Sequence, residues 1–432
     1  MVELKSTFLG ITSPNPFWLA SAPPTDKAYN VNRAFEAGWG GAVWKTLGED
    51  PHIVNVSGPR YSAIHSNERR VIGFNNIELI TDRPLKTNLD EMRQIKKDWP
   101  DRALVASVML PMNETAWAKY LPMIEDTGID AFELNFGCPH GMSERGMGAA
   151  VGQVPEYIQM ATEWAKNAAT VPVIVKLTPN VTNILPPAKA ALDGSADAVS
   201  LINTINSIMR VDYDSLTMYP TTDGMGTHGG YCGEAVKPIA LNMVAEIART
   251  KDTRSLPISG IGGITDWLDA VDFLALGASN VQVCTAAMVY GFKIIDDLVD
   301  GLSGFLDDKQ LTLDELIGKA VPSVTDWQYL NLNYVEKAVI DQELCIKCGR
   351  CHVVCEDTSH QAITHTVNGE RHFEVIDAEC VGCNLCVSVC PVDSCITMHE
   401  LTDGTDPRTG QPISNIKANW TTHPNNPMRK MD

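Results

Sequence analysis

Long apolar runs are what this chain most plainly lacks: no uninterrupted hydrophobic stretch approaches the roughly 18 residues that a membrane-crossing helix requires. A helical integral membrane protein is therefore not expected. Basic charge is scarce as well. Lys and Arg total 34 against 53 Asp and Glu, and the resulting net charge of −19 repels a phosphate backbone and leaves no basic stripe for nucleic acid. The start, MVELKSTFLGITSPNPF, has Glu3 where a secretory leader carries only basic residues, and no long apolar core follows. Cytoplasmic residence is the expectation, and there the Asn-x-Ser/Thr triplets at Asn55, Asn113, Asn180 and Asn419 carry no glycan meaning.

Cysteine, by contrast, is plentiful. Twelve cysteines in a chain expected to meet a reducing compartment argue for metal or catalysis rather than disulfides. Nine of them lie between residues 345 and 395, while Cys138, Cys232 and Cys284 are scattered before them, and that asymmetry marks a domain boundary. The 432 residues suit one large domain and one small one.

Ahead of the boundary, short apolar runs alternate with helical patterns. The runs are FWLASA (17–22), GAVWKT (41–46), ALVASV (103–108), DAFELNF (130–136), PVIVKL (172–177), DAVSLI (197–202), PISGIGG (257–263) and NVQVC (280–284). Helix signals separate them, as in PEYIQMATEWAKNAA, AEIART and DWLDAVDFLALG with its closing Gly277. Alternating β and α units require parallel strands with right-handed crossovers, and eight of them predict an α/β (β/α)8 TIM barrel over residues 1–320. A doubly wound open sheet is the alternative fold. Residues 321–341 read as a connector, 342–400 as a second domain, and 401–432, with TDGTDPRTGQP and THPNNP, as an extended tail.

In the second domain, CIKCGRCHVVC and CVGCNLCVSVC repeat one spacing, C-x2-C-x2-C-x3-C. Three thiolates at every third position wrap one corner of an iron–sulfur cube, and the fourth serves the other cube across the pseudo-symmetric α+β ferredoxin-like fold. The expected ligands of one [4Fe-4S] cluster are Cys345, Cys348, Cys351 and Cys390, and those of the other are Cys380, Cys383, Cys386 and Cys355. Paired zinc sites are the alternative, although zinc favours two well-separated C-x2-C pairs. Pro391 follows the second motif and Glu356 the first, a difference in polarity near one cluster that leaves ligation untouched. Cys395 lies outside the repeat and reads as a buried small hydrophobe.

Barrel enzymes carry their chemistry at the C-terminal strand ends. Here those ends read Ala20-Ser21, Lys45-Thr46, Asn135 then Cys138, Lys176, Asn203-Thr204, Gly262-Gly263 and Cys284-Thr285. Glycines after the seventh strand and small residues after the eighth leave bare N–H groups for a phosphate, so a phosphorylated cofactor is implied. Lys45 and Lys176 point to a space that holds negative charge, such as the N1–C2 region of a reduced flavin.

The combination NPFWLASAPPT, FEAGWGGAVWKT, GFNNIELI, ELNFGCPHGMSERGMG, VKLTPNVTN, INTINSI, GGYCGEAVKPIAL, SGIGGI and VQVCTA, followed by the cysteine repeat, resembles dihydropyrimidine dehydrogenases over residues 1–400. The resemblance implies FMN near Ala20, Ser21, Lys45, Thr46, Lys176, Gly230, Gly262, Gly263, Cys284 and Thr285. It also implies that Asn76, Asn135, Asn203 and Thr204 read a pyrimidine ring. A uracil edge alternates N–H and C=O groups, and carboxamides match both without burying a charge.

Reduction of the 5,6 double bond needs a hydride on one carbon and a proton on the next. The hydride is expected from flavin N5, and Cys138 resembles the general acid that donates the proton: an apolar site keeps a thiol protonated near neutral pH. Pro139 stiffens one side of that thiol, and Gly141, Gly146 and Gly148 suggest a closing lid. The alternative is a packing cysteine, which neighbours as polar as His140, Ser143, Glu144 and Arg145 disfavour. Ser commonly precedes this Cys in the family, whereas Gly137 stands here.

The activity the resemblance implies is reduction of uracil and thymine to their 5,6-dihydro forms. Because no FAD- and NAD(P)-binding segment is found in the sequence, a separate flavoprotein subunit that oxidises NAD(P)H is expected, and a homodimer or hetero-oligomer with it. Two alternatives stay open, a dihydroorotate dehydrogenase or reductase of a related cyclic ureide, and a non-catalytic iron–sulfur electron carrier.

Overall fold

In the computed structural model each of the eight apolar runs forms a strand, and the eight run parallel around one closed barrel. They are β1 (Phe17–Leu19), β2 (Gly41–Leu47), β3 (Ala103–Val108), β4 (Ala131–Asn135), β5 (Val173–Lys176), β6 (Ala198–Leu201), β7 (Ile258–Ile261) and β8 (Asn280–Val283). Eight helices alternate with them: α1 (Ala28–Ala37), α2 (Leu85–Asp98), α3 (Glu114–Glu125), α4 (Pro155–Ala168), α5 (Leu185–Asp193), α6 (Lys237–Arg249), α7 (Trp267–Ala275) and α8 (Ile294–Lys309). Pairing of β8 with β1 closes the ring and rules out the open sheet.

The structure describes residues 2–49, 55–66, 69–139, 146–330, 335–367, 369–402, 404–410 and 413, which fall into two units, Met1–Val324 and Thr325–Asp432. Parallel strands covered by helices are buried on both faces, and so they read as continuous apolar runs rather than alternating ones. Every residue of β2 and β3 is buried. Outward-facing Phe17, Leu19, Ala42, Trp44 and Leu104 pack with the helices in the large outer core. Inward-facing Trp18, Val43, Ala103, Val105, Ala131, Ile174 and Ala198 form a separate plug, sealed by Phe8 of a hairpin that pairs Ser6–Phe8 with Ile11–Ser13.

Above that plug the interior turns polar: Glu133, Lys176, Ser200, Ser259 and Gln282 are all buried. A four-stranded antiparallel sheet completes this end of the unit, in the order Ile205–Ser207, Gly229–Gly233, Val71–Asn76, Tyr61–His65. Its strands come from two insertions, after β2 and after β6, too short and too mixed in polarity to stand out in the sequence.

The second unit pairs Glu336–Ile340 antiparallel with Ile396–Glu400. Residues 336–340, read as connector, are thus a strand: Lys337 and Ala338 are buried, and the Lys337 ammonium donates to the carbonyls of Asp377, at 2.9 Å, and Cys380. Two short helices lie within the cysteine repeat, Arg350–Glu356 carrying Cys351 and Cys355 and Leu385–Val389 carrying Cys386. The repeat extends to the backbone. Lys347 and Gly349 have φ of 58° and 85°, and their counterparts Gly382 and Asn384 have 73° and 67°. Of the expected tail, a turn at Asp406–Gly410 is described; residues 403, 411, 412 and 414–432 lie outside the described residues, as do 331–334 of the connector.

The close approach of β1, β2 and β3 leaves no room at Gly41, where an added Cβ would lie 2.8 Å from both Ala103 Cβ and Trp18 Cδ1. Gly41→Ala should therefore lower stability by about 1–3 kcal/mol, seen as a fall of several degrees in thermal unfolding followed by circular dichroism. An unchanged midpoint would contradict this packing.

Candidate active site

The polar strand ends and the antiparallel sheet enclose a cleft with about 150 Å³ of water-accessible space. Ala20, Ser21, Lys45, Thr46, Asn76, Asn135, Cys138, Lys176, Asn203, Thr204, Gly262, Gly263, Cys284 and Thr285 all line it. Gly230 is different: it lies in the sheet, where its carbonyl accepts from Asn76 Nδ2 at 3.3 Å and an added Cβ would strike the Thr204 side chain. The described part of the segment after Cys138 is limited to Pro139 and to Gly146 onward; His140, Gly141, Ser143, Glu144 and Arg145 lie outside it.

Hydrogen bonds tie the amides into one array. Asn203 Nδ2 donates to Asn135 Oδ1 at 3.0 Å, and Asn135 Nδ2 donates to Thr46 Oγ1 at 3.0 Å. Thr204 N donates to Asn203 Oδ1 at 2.8 Å, which fixes the orientation of that carboxamide. Gly137 makes this array possible: a Cβ there would lie 2.7 Å from Asn203 Cγ, so the residue ahead of the thiol is small because Asn203 fills its space. Cys138 itself is buried against Ile80, Met109 and Met147 while lining the cleft, so the thiol meets the cleft from an apolar bed.

Each lysine of the cleft faces a carboxylate, Glu78 of GFNNIELI and Glu133 of ELNFGCPHGMSERGMG. At the mouth, Lys45 Nζ lies 2.6 Å from Glu78 and 3.8 Å from Asp26. Glu78 also meets Arg60 at 3.4 Å and accepts from the Tyr61 hydroxyl. Burial, reinforced by the Glu78 charge, pushes the Tyr61 hydroxyl well above its ordinary value and keeps it a donor. Burial likewise raises Asp26, outweighing Lys45 and Arg83. At the floor, Lys176 Nζ lies 3.3 Å from Oε1 of the fully buried Glu133, whose Oε2 accepts from Ser200 Oγ at 2.8 Å and from Gln282 Nε2 at 3.0 Å. Glu133 and Gln282 could have been found as polar residues inside otherwise apolar strands, in step with the strand-end positions; Tyr61 and Glu78 sit on the insertion and leave no such signal.

A phosphorylated flavin fits these residues. The chain after β7 turns through Gly262 and Gly263 at φ of 129° and 78°, and a Cβ at Gly263 would meet Gly233 O and Lys237 N at 2.9 Å, so bare backbone is required at that wall. Gln282 lines the cleft with an Oε1 that accepts no hydrogen bond among the described residues, a polar atom awaiting a donor.

In the second unit, Cys355, Cys380, Cys383 and Cys386 line one cavity of about 350 Å³, so the fourth thiol of the first motif meets the three leading thiols of the second. Cys351 lies within electrostatic reach of Cys345 and Cys348. Cys395 is buried in the core of this unit, next to Cys345 and Cys390. A lining of thiols suits an iron–sulfur cube.

Comparison with known proteins agrees with this arrangement. The family described as dihydroorotate dehydrogenase matches residues 3–306, and the 4Fe-4S dicluster domain matches residues 338–398. The chain is 38% identical over 400 residues, 92% of its own length and 96% of the relative's, to the NAD-dependent dihydropyrimidine dehydrogenase subunit PreA of Escherichia coli (strain K12). It is 40% identical over 357 residues, 80% of this chain and 83% of the other, to the chloroplastic dihydropyrimidine dehydrogenase (NADP(+)) of Arabidopsis thaliana. Over 321 residues, 74% of this chain and 99% of the other, it is 34% identical to the dihydroorotate dehydrogenase B (NAD(+)) catalytic subunit of Pyrococcus furiosus. Among the described residues no helix is long and apolar enough to cross a membrane.

Burial pushes the Cys284 thiol up to about 12, with Cys232 adding to the rise. An unfolded cysteine titrates near about 8.5. Below that pH the proton is bound in both states and stability does not respond; above it the unfolded chain releases a proton that the folded chain keeps, and stability falls until the folded value is reached. Cys284→Ala should flatten the alkaline loss of stability, measured by urea unfolding from about pH 8 to 10, and an unaltered slope would contradict a buried neutral thiol.

Proposed function

The chain belongs to the dihydropyrimidine dehydrogenase family, a dihydroorotate dehydrogenase barrel joined to a 4Fe-4S dicluster domain, and on that premise we propose that it reduces uracil and thymine to 5,6-dihydropyrimidines. The observation that carries the reading is the lining of the cleft. Asn76, Asn135, Asn203 and Thr204 face it, and its two described lysines each face a carboxylate, Glu78 for Lys45 and Glu133 for Lys176. A neutral ring edged with N–H and C=O groups is the ligand such a lining accepts. Dihydroorotate carries a carboxylate that calls for a cation with no carboxylate beside it, and each lysine of the described lining already faces one.

FMN, when bound along Ala20, Ser21, Lys45, Thr46, Lys176, Gly262, Gly263, Cys284 and Thr285 with Gly230 behind, supplies the hydride chemistry. Asn76, Asn135, Asn203 and Thr204 hold the ring in register by its donors and acceptors. Cys138 Sγ, packed with Ile80, Met109 and Met147, holds the proton for the neighbouring carbon. Cys345, Cys348, Cys351 and Cys390 would hold one [4Fe-4S] cluster and Cys380, Cys383, Cys386 and Cys355 the other, and the pair would supply one-electron transfer. The E. coli relative is named as a subunit, which supports a partner flavoprotein that carries FAD and oxidises NAD(P)H. So many reduced thiols favour the cytoplasm.

Anaerobic titration of the oxidised protein with 5,6-dihydrouracil, followed by flavin absorbance, should bleach the flavin rapidly, and Cys138→Ala should slow the bleaching by roughly 10²–10⁴-fold. Bleaching by dihydroorotate and not by dihydrouracil would overturn the substrate. The crossed ligand sets make a second prediction. Cys355→Ser and Cys380→Ser should remove the same cluster, each halving iron content from about eight atoms per chain and abolishing the same electron paramagnetic resonance signal; loss of different signals would refute the crossing.

A further inference from the structure

The geometry points to Glu133 as a positioning residue that sets how much of the Lys176 charge reaches the cofactor; the inference rests on the FMN reading above. The two lysines of the cleft differ in their counter-ions. Lys45 is held at 2.6 Å by Glu78, with Asp26 a second carboxylate at 3.8 Å, so little of its charge is left for a ligand. Among the described residues Lys176 has one carboxylate within ion-pair distance, Glu133, at 3.3 Å. That separation exceeds the about 2.7–2.9 Å of a tight charge-assisted bond.

Neighbouring donors keep the pair loose. Glu133 is fully buried, and its Oε2 is engaged by two neutral donors, Ser200 Oγ at 2.8 Å and Gln282 Nε2 at 3.0 Å. Gln282 Nε2 is in turn fixed by Ser259 Oγ at 3.0 Å. Oε1 accepts no hydrogen bond among the described residues and faces Lys176. Ser200 of β6 and Gln282 of β8, the latter fixed by Ser259 of β7, thus hold the carboxylate carried by β4, while Lys176 of β5 lines the cleft. The carboxylate spares the ammonium an unpaired burial but, drawn toward Ser200 and Gln282, does not cancel it. In a site this dry the remaining charge acts strongly on any negative charge that gathers on the flavin ring.

The signs follow. Glu133→Gln removes the counter-charge and leaves Lys176 to act in full, favouring negative charge on the flavin. Ser200→Ala takes a donor from Oε2 and turns more of the carboxylate's charge to Lys176, with the opposite effect. Sulfite, which adds to oxidised flavin and leaves an anionic ring, reads this directly.

The test is an anaerobic sulfite titration of the FMN-loaded protein, its two single variants and Glu133→Gln combined with Lys176→Met, following loss of visible flavin absorbance. Glu133→Gln should bind sulfite about tenfold tighter, and its flavin reduction potential should rise in step, tenfold in a two-electron equilibrium being about 30 mV. Ser200→Ala should bind sulfite severalfold more weakly, and Lys176→Met should abolish the gain. A residue that only braced the fold would lower thermal stability or FMN affinity without moving sulfite affinity in opposite directions. Unchanged or weaker sulfite binding in a flavin-retaining Glu133→Gln overturns the inference; if that variant does not fold, unchanged or tighter binding in Ser200→Ala does. A wild-type protein that takes up no FMN overturns the reading beneath it and the inference with it.

Discussion

Closure of eight parallel strands governs everything else in the larger unit. A strand so enclosed has one face against helices and the other inside the ring, and neither can carry polar groups unless they satisfy one another. The lower interior obeys by being apolar, with Trp18 at its centre and Phe8 as its stopper. The upper interior obeys by mutual satisfaction: Glu133, Ser200, Ser259 and Gln282 bind across four strands, and Lys176 closes the set. The reactive end of the barrel is therefore not a hole left in a core but the place where buried polarity rises to meet the cleft.

That constraint also explains which parts are legible in the sequence. Fully buried parallel strands are long enough in apolar residues to be read one by one, and all eight can be. Once the ring is known, the C-terminal strand ends follow, which is why Asn135, Lys176, Asn203 and the glycine pair stand out. Asn76 and Gly230 are accessible only through family resemblance, because the antiparallel sheet that bears them arises from brief insertions with no lasting periodicity. Tyr61 and Glu78 share that sheet region and escape notice for the same reason. The strand at Glu336–Ile340 reads as connector because its partner, Ile396–Glu400, lies across the whole cysteine repeat, and pairing over that distance leaves no local mark.

The smaller unit shows the opposite balance. Its cysteine spacing is regular enough for two expected ligand sets to be read from it, whereas its helices are too short for periodicity to reveal. What spacing does not disclose is that the duplication reaches into the backbone, with a left-handed residue between the second and third thiols of each motif and another two positions earlier. Lys347 adopts at φ 58° what Gly382 adopts at 73°, so the loop geometry outweighs the cost of a side chain in one copy.

Gly137 and Asn203 carry a consequence for how such a site can change over time. Since a Cβ at residue 137 would occupy the volume of the Asn203 carboxamide, the two positions form a locked pair despite lying on separate strand ends. A hydroxyl beside the thiol can be accommodated only if the Asn203 side chain shifts, so a change at either position is felt at the other.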